Sequence, residues 1–330
     1  MTQQTRNKAQ QYAKDGEVYR LKGEYHLARV KFKQAIGLQP NYAWAHAHLG
    51  EALFQESLEQ KIVDMYFSQV KDAFEKAIEI DNSYAWAYAH FGRFYTENIK
   101  YDKAEENLTK ATEINDSYAW AWAHLGSNYY RKENPEYDQA LCCLDKAIGI
   151  LDNYAWAIHQ KGTVFYLTDQ YEKALHQFLS VIAIDPSIFR SANRECGLIY
   201  RIDGNLELAL IYFDKALKEN QNDIESEYHK IGTKLKLRES NPNLAKSEKF
   251  SLGQLNLEIE GLQKKLTPEN KIYLQELTKD YIVKGLDALN LKNNNAQTGK
   301  NVQTGEGEIE ALINGNPTLR AIAKHDPAWQ

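Results

Sequence analysis

Several features that often define a protein's function are scarce in this sequence. Only three of its 330 residues are cysteine, and Cys142 and Cys143 are adjacent, which disfavours a disulfide framework and a thiolate metal cluster. No apolar run is long enough for a signal-peptide core or a membrane span. The net charge of −5 disfavours a general binder of nucleic acid or of anionic membranes. We therefore expect a soluble, cytoplasmic protein without a membrane partner.

Motifs for catalysis and for cofactor binding are also absent from the sequence. It contains no Gly-rich phosphate loop, no His-Glu-x-x-His, no nucleophile elbow and no Cys-x-x-Cys. Cys142, Cys143 and Cys196 lie within helix-like sequence, which is typical of small core or half-buried residues. We expect neither a cofactor nor an enzymatic activity.

The most informative feature of the sequence is an internal repeat. Four similar segments, NYAWAHAHLG, SYAWAYAHFG, SYAWAWAHLG and NYAWAIHQKG, begin at Asn41, Ser83, Ser117 and Asn153, and each ends in glycine. Weaker copies extend the series in both directions. The glycines of the series are Gly16, Gly50, Gly92, Gly126, Gly162, Gly197 and Gly232, with spacings of 34, 42, 34, 36, 35 and 35 residues. A period this constant predicts a repeat architecture.

A second pattern follows each repeat glycine. In the third repeat it consists of Ala104, Leu108 and Ala111, whose small-xxx-large-xx-small spacing places them on one face of a second helix. The glycine and the first alanine are small because two antiparallel helices approach closely there. Pro40 and Pro186, or asparagine and aspartate at equivalent places, then end the second helix. Each repeat therefore predicts a helical hairpin.

This arrangement resembles the tetratricopeptide repeat: glycine, an aromatic residue three positions later, alanine, phenylalanine or leucine, alanine, and then proline or a turn former. The resemblance implies an all-α, right-handed α-solenoid of six to seven helical hairpins with C-terminal capping helices. A lead-in at 1–8 precedes six repeats over 9–223, at 9–42, 43–84, 85–118, 119–154, 155–188 and 190–223, and a degenerate seventh repeat occupies 224–250.

Two repeats depart from the common length. Eight extra residues lie between Gly50 and Phe74, about two helical turns, so we expect one extra turn on each helix of the second repeat. Two extra residues around Asn134 and Pro135 predict a longer loop inside the fourth repeat.

The chain after the repeats divides into three predicted segments. Residues 251–291 form a helical cap, because the last repeat would otherwise leave its apolar face uncovered. Residues 292–307 are polar and rich in Gly and Asn, which indicates a linker. Residues 308–330 form a short helical tail, for which two interpretations stay open. It is either a frayed or cap-docked end, or a linear motif that docks on a partner or on the chain's own groove.

The resemblance also implies a binding surface, because the first helices of such hairpins line a concave groove. With the repeat glycine counted as position eight, positions two, five, six, nine and twelve face this groove. The predicted peptide-binding groove consists of Trp44, His48, Trp86, His90, Arg93, Trp120, His124, Tyr130, Trp156, His159, Arg194 and Arg201. Four tryptophans at position two predict a ladder of indoles separated by alanines. The alternative is that these tryptophans pack between repeats.

The residues at the groove positions bear on three more specific functions: a metal site, a carboxylate clamp and a basic end. Neighbouring first helices lie about 8–10 Å apart, so His48, His90 and His124 are too widely spaced to share one metal ion. The family's clamp for the C-terminal carboxylate of chaperones requires lysine and asparagine at positions where this chain has other residues. Arg194 and Arg201 form either a basic end that receives acidic residues of a ligand or a solvated surface of mixed charge.

These observations predict a non-catalytic scaffold that binds a peptide or a helix of a protein partner in its groove. One alternative is a regulatory subunit or inhibitor that docks on an enzyme, with the C-terminal tail as a switch. Another is an RNA-binding protein, which the net charge of −5 disfavours.

Overall fold

Helices follow one another along the whole described part of the chain. The structure is a computed structural model that describes residues 2–184 and 190–267. Within these ranges every regular element is helical, which confirms the all-α prediction. The chain divides into two units, Met1–Gln170 and Tyr171–Gln330, each of which is described by itself. The predicted linker at 292–307, the tail at 308–330 and the cap beyond residue 267 lie outside the described residues.

The first unit consists of four consecutive helical hairpins followed by the single helix α9. Its helices are α1 Gln3–Leu21, α2 Tyr25–Leu38, α3 Ala43–Glu59, α4 Val63–Ile80, α5 Ala85–Glu97, α6 Tyr101–Ile114, α7 Ala119–Arg131, α8 Tyr137–Ile150 and α9 Ala155–Leu167. The first helices α1, α3, α5 and α7 each pack on the second helix of the same hairpin, and α2, α4, α6 and α8 each pack on the following first helix. The first helices α1, α3, α5, α7 and α9 also contact one another in succession. The side chains of neighbouring first helices can therefore meet on one surface.

The second unit continues the helical pattern and ends differently from the prediction. Its helices are α10 Tyr171–Ile184, α11 Arg190–Ile202, α12 Leu206–Glu219, α13 Ile224–Ser240 and α14 Leu252–Lys265. Within the predicted seventh repeat only the first helix, α13, forms. Two short 3-10 helices, Pro242–Lys246 and Glu248–Phe250, stand where a second helix was expected. Pro242 explains the end of α13, because proline lacks a backbone N–H and disfavours helical backbone before it.

Helix α14 packs on the apolar face of α13. Tyr228 and Ile231 of α13 pack in one buried cluster with Ile259 and Leu262 of α14. This helix lies within the predicted cap at 251–291, and it buries apolar surface that the incomplete seventh hairpin would leave open.

Both irregular repeats have the geometry that their lengths predict. Helices α3 and α4 contain 17 and 18 residues, whereas α5 and α6 contain 13 and 14, so each longer helix has about one extra turn. Residues 132–136 join α7 to α8, whereas residues 98–100 are enough to join α5 to α6. One cysteine differs from expectation: Cys142 is exposed, because it lies on the face of α8 opposite the buried Ala140 and Leu144.

Close packing inside a hairpin requires five of the repeat glycines, Gly16, Gly50, Gly92, Gly126 and Gly197. A Cβ atom on Gly126 would lie 2.8 Å from Cγ of Leu144 and 2.9 Å from the backbone oxygen of Ala140. The oxygen belongs to the helix backbone and cannot move without displacing α8. At Gly92 the same atom would lie 2.5 Å from Cγ of Leu108. The glycine therefore sets how closely the two helices of a hairpin approach.

Replacing Gly126 by alanine should destabilise the chain. We expect Gly126→Ala to lower the free energy of unfolding by about 1–3 kcal/mol, because the added methyl group forces α7 and α8 apart. The measurement is urea unfolding followed by far-UV circular dichroism. Gly149→Ala in α8 is the matched control, since no atom lies within 4 Å of its Cβ position. It should raise stability by up to about 1 kcal/mol through helix propensity. Equal effects of the two substitutions would contradict the packing role of Gly126.

Candidate functional site

Seven aromatic rings on the first helices of the first unit form a continuous stack, which we call the ring ladder. Its members are Trp44, His48, Trp86, His90, Trp120, His124 and Trp156. Trp44 and His48 of α3 stack with ring centroids 3.8 Å apart, and His48 stacks on Trp86 of α5 at 4.2 Å. The next centroid distances along the ladder are 3.7, 4.3, 3.8 and 4.4 Å. Every histidine of the ladder therefore lies between two indoles.

The repeat geometry explains why tryptophan and histidine alternate. Tryptophan and histidine are four residues apart on each helix, so their rings lie on the same face. The alanines that were expected between the indoles instead pack below the ladder. Ala47, Ala77 and Ala87, from three consecutive helices, form one buried cluster. This contact holds successive first helices so close that two indoles lie at most about 8 Å apart, and one imidazole fills that distance.

The four indoles are partly buried. The structure therefore combines the two alternatives given above, indoles that line the groove and indoles that pack between repeats. Trp86 and Trp120 stack with imidazoles of their own and of the preceding repeat, whereas Trp44 stacks only with His48 and Trp156 only with His124. Each of the four side chains keeps some solvent exposure. Their N–H groups have no acceptor within the described residues. Trp122 differs, because its Nε1–H donates to the backbone oxygen of Asp116 at 2.9 Å. The ladder thus presents apolar ring edges and unused hydrogen-bond donors.

A row of tyrosines, which is not among the groove residues predicted from the sequence, accompanies the ladder. Tyr42, Tyr84, Tyr118 and Tyr154 immediately precede α3, α5, α7 and α9, with ring centroids 6.0–6.3 Å from the nearest ladder tryptophan. Burial raises the pKa of Tyr84 and Tyr118, and raises that of Tyr154 to about 12. These phenols therefore keep their protons at neutral pH. The signal was the Tyr-Ala-Trp sequence shared by all four segments.

Hydrogen bonds between repeats orient two of the histidines. Nδ1 of His48 lies 3.0 Å from Glu17, and Nδ1 of His90 lies 3.0 Å from Glu51. Burial lowers the pKa of both imidazoles, so they are neutral at pH 7. A carboxylate can only accept, and Nδ1–H of each ring is therefore the donor. For His48 this leaves Nε2 as an acceptor, 3.4 Å from the hydroxyl group of Tyr84.

The two carboxylates are ionised although they are partly or fully buried. Burial raises the pKa of Glu17, but hydrogen bonds from Arg20 and His48 outweigh this effect and lower it to about 2. For Glu51, which is 2% exposed, burial is outweighed by Arg93 and His90, and the pKa is again about 2. The closest N–O distances are 2.7 Å for Arg20 and 3.3 Å for Arg93. Each carboxylate therefore has a compensating guanidinium.

The remaining predicted groove residues lie in different surroundings. His159 is buried and is not part of the ladder, because it lies at position five instead of six. The hydroxyl group of Tyr130 donates to Oε1 of Gln160 on α9. In the second unit, Arg194 lies 3.1 Å from Asp223 and 3.0 Å from Glu225.

Arg201 is also held inside the second unit. Its side chain is buried, and Nη1 lies 3.1 Å from Nδ1 of His229. Both arginines of the predicted basic end are therefore engaged with neighbours in their own unit, and their part in a binding groove stays a prediction.

Metal clusters and membrane-spanning helices are both absent from the described residues. In the part of the chain that the structure describes, no three His, Cys, Asp or Glu side chains are grouped so that they could hold a metal ion. None of the described helices combines the length and the apolar composition that crossing a membrane requires.

Comparison with known proteins agrees with this architecture. The family model described as TPR repeat matches residues 16–56, and the model described as tetratricopeptide repeat matches residues 87–118 and 196–223. No curated protein matches the chain in sequence. The helical hairpins and the glycine-centred packing define a helical-repeat protein. Together with these matches they show that the chain contains tetratricopeptide repeats.

Solved structures of similar fold include proteins of different roles. A structure of the APC/C hetero-tetramer Cut9-Hcn1 is 14% identical over 68% of this chain and 43% of its own, with a TM-score of 0.60. PilW, a type IV pilus biogenesis factor, is 16% identical over 66% of this chain and 96% of its own, with a TM-score of 0.57. Pseudomonas aeruginosa pilF is 19% identical over 67% and 96%, with a TM-score of 0.55. These similarities concern the fold.

The buried carboxylate of Glu51 should make stability depend on pH. Its pKa falls from an ordinary 4.5 to about 2 on folding. Its contribution is therefore complete above about pH 4.5 and is lost as the pH falls towards 2. We expect Glu51→Gln to lower the free energy of unfolding by about 3 kcal/mol at pH 7, because it leaves the Arg93 charge without its carboxylate. The difference from the unmodified chain should shrink in urea unfolding at pH 3.

Glu97→Gln is the control for this experiment. Glu97 also binds an arginine of the next first helix, Arg131 at 2.8 Å, but its side chain is 39% exposed. An exposed pair contributes less than about 1 kcal/mol. If Glu51→Gln were as mild as Glu97→Gln at pH 7, the proposed role of the buried carboxylate would be wrong.

Proposed function

We propose that this chain is a non-catalytic scaffold that binds an extended segment of a partner protein along the ring ladder. The tetratricopeptide-repeat fold supports a role in protein–protein interaction. The observation that carries the more specific proposal is the uninterrupted stack from Trp44 to Trp156, in which all four tryptophans are partly exposed to solvent.

The ladder has the chemistry of a binding hot spot. A tryptophan offers a large, rigid apolar area together with an N–H donor, and such residues dominate the energetics of interfaces. The stacked rings are already ordered by their neighbours, and His48 and His90 are oriented by Glu17 and Glu51. Little side-chain entropy would therefore be lost on binding, which favours affinity for a given contact area.

The spacing of the indoles favours an extended ligand. Successive indoles lie at most about 8 Å apart. Side chains on one face of a strand recur every ~6.7 Å, and those of a polyproline II segment recur every ~9.3 Å. The upper limit of the ladder spacing lies between these two values and is compatible with the strand repeat, so side chains of one extended segment can meet successive indoles. The backbone carbonyl groups of such a segment are free to accept from the indole N–H groups.

Removing two indoles of the ladder should weaken peptide binding. We expect peptides selected against the full-length chain from a random phage-displayed library to bind Trp86→Ala/Trp120→Ala more than tenfold more weakly, a loss of about 1.4 kcal/mol or more. The measurement is fluorescence anisotropy with the selected peptides, after circular dichroism has shown that the variant is helical.

Trp122→Ala is the matched control, because it removes an indole whose N–H is already bonded to the backbone outside the ladder. It should retain the affinity of the unmodified chain. Selected peptides that bind a folded Trp86→Ala/Trp120→Ala variant with undiminished affinity would refute the proposal that the ladder is the binding surface.

A further inference from the structure

The three histidines of the ring ladder are not equivalent. His48 and His90 each bond a carboxylate on the preceding first helix, Glu17 and Glu51, in both cases at 3.0 Å. Both glutamates occupy position nine of their repeat. In the third repeat this position is Arg93. His124, on the next first helix, is therefore adjacent to a cation where the other two histidines meet a carboxylate.

His124 has the same stacking as its equivalents but a different electrostatic environment. It lies between Trp120 and Trp156, with centroid distances of 3.8 and 4.4 Å. Within the described residues it has no hydrogen-bond partner, and its side chain is partly exposed. Burial lowers its pKa well below the usual value, and Arg93, His90 and Arg131 act in the same direction. From α9 it is faced by Trp156, whose neighbour Gln160 is bonded by Tyr130.

Arg93 has unused capacity to bind an anion. Among the described residues its guanidinium donates one hydrogen bond, to Oε1 of Glu51 at a long 3.3 Å. That carboxylate is shared with His90 and Gln55. A guanidinium has five N–H donors, and the side chain of Arg93 is 20% exposed. Nε of Arg93 is buried without a hydrogen-bond partner among the described residues, and the charge of Arg93 acts on His124.

We propose that Arg93 and His124 together bind the carboxylate of an aspartate or glutamate side chain in the extended segment held by the ladder. The ligand then supplies to His124 the acceptor that Glu17 and Glu51 supply to His48 and His90. The interaction fixes which residue of the segment lies beside Trp120 and Trp156, and so sets the register of binding. This inference rests on the proposed function, and the experiments below separate the failure of one from the failure of the other.

The first experiment uses acetate as a probe of the full-length chain. Histidine is labelled with ¹³C and ¹⁵N, and the ring signals of His124 are identified by their loss in His124→Gln. We expect acetate to shift these signals saturably and to raise the pKa of His124, because a bound anion stabilises the protonated ring. Acetamide, and sodium chloride at equal ionic strength, should do neither. Arg93→Gln should abolish the saturable shift.

A second variant builds the carboxylate into the chain. Arg93→Glu restores the residue type found at position nine of the first two repeats, so the new carboxylate should bond His124 as Glu51 bonds His90. We expect the pKa of His124 to rise without added acetate, and acetate no longer to bind. A purely structural role of Arg93 predicts neither result, and near-UV circular dichroism of the stacked rings reports whether the ladder is intact.

The third experiment links the site to peptide binding. In a peptide selected on the ladder, replacing the critical acidic residue by its amide should weaken binding to the unmodified chain about tenfold, the loss expected for a charge-assisted hydrogen bond. The same replacement should have little effect on binding to Arg93→Gln. Full loss of affinity in both backgrounds would overturn the assignment of the carboxylate to Arg93.

The outcomes separate the two proposals. If acetate shifts His124 no more than chloride or acetamide does, the carboxylate site is refuted, whatever the peptides do. If acetate binds as expected but no peptide binds the ladder, the anion site stands and the proposed function fails. Peptides that require the ladder tryptophans but contain no acidic residue would support the proposed function and overturn the inference.

Discussion

The candidate site depends on the distance between successive hairpins, and that distance is set by contacts between alanines. Three consecutive helices meet at such contacts, as with Ala47, Ala77 and Ala87, and again with Ala89, Ala111 and Ala121. A single methyl group per residue lets the helices approach until neighbouring indoles are separated by one imidazole. The packing that holds the hairpins together therefore also stacks the rings. Larger side chains at these positions would separate the indoles and uncover their faces.

A polar layer beside the ladder makes this arrangement rigid. Glu51 is 2% exposed and carries a charge, which is costly unless it is paired and hydrogen-bonded. Arg93, His90 and Gln55 meet this requirement, and they come from two first helices. Desolvation makes such a network a weak source of net stability, but it strongly disfavours other registers between the two helices. The layer therefore fixes the orientation of the two helices more than it adds to the free energy of folding.

A stack of identical repeats offers a ligand several equivalent registers. Position nine breaks this equivalence, because it changes from Glu17 and Glu51 to Arg93 along the ladder. The aromatic rings supply the contact area, which is nearly the same in each repeat, whereas the charges differ from repeat to repeat. Affinity and register are therefore carried by different residues, a division that lets a regular fold recognise an irregular sequence.

The sequence alone determined the succession of paired helices and the close contacts at glycine and alanine, because these follow from spacing along one helix or between adjacent helices. It also identified the tryptophans and histidines as a group. It did not decide what lies between the indoles, because stacking of His48 on Trp86 depends on the distance between helices. The pairing of Glu17 with His48, 31 residues apart, has the same origin. The 3-10 turns after Pro242 stand where the second helix of the last hairpin was expected, and only the tertiary structure placed α14 on the apolar face of α13. Local periodicity is evident from residues that are close together in sequence, whereas contacts between helices depend on side-chain size and charge at positions far apart in sequence.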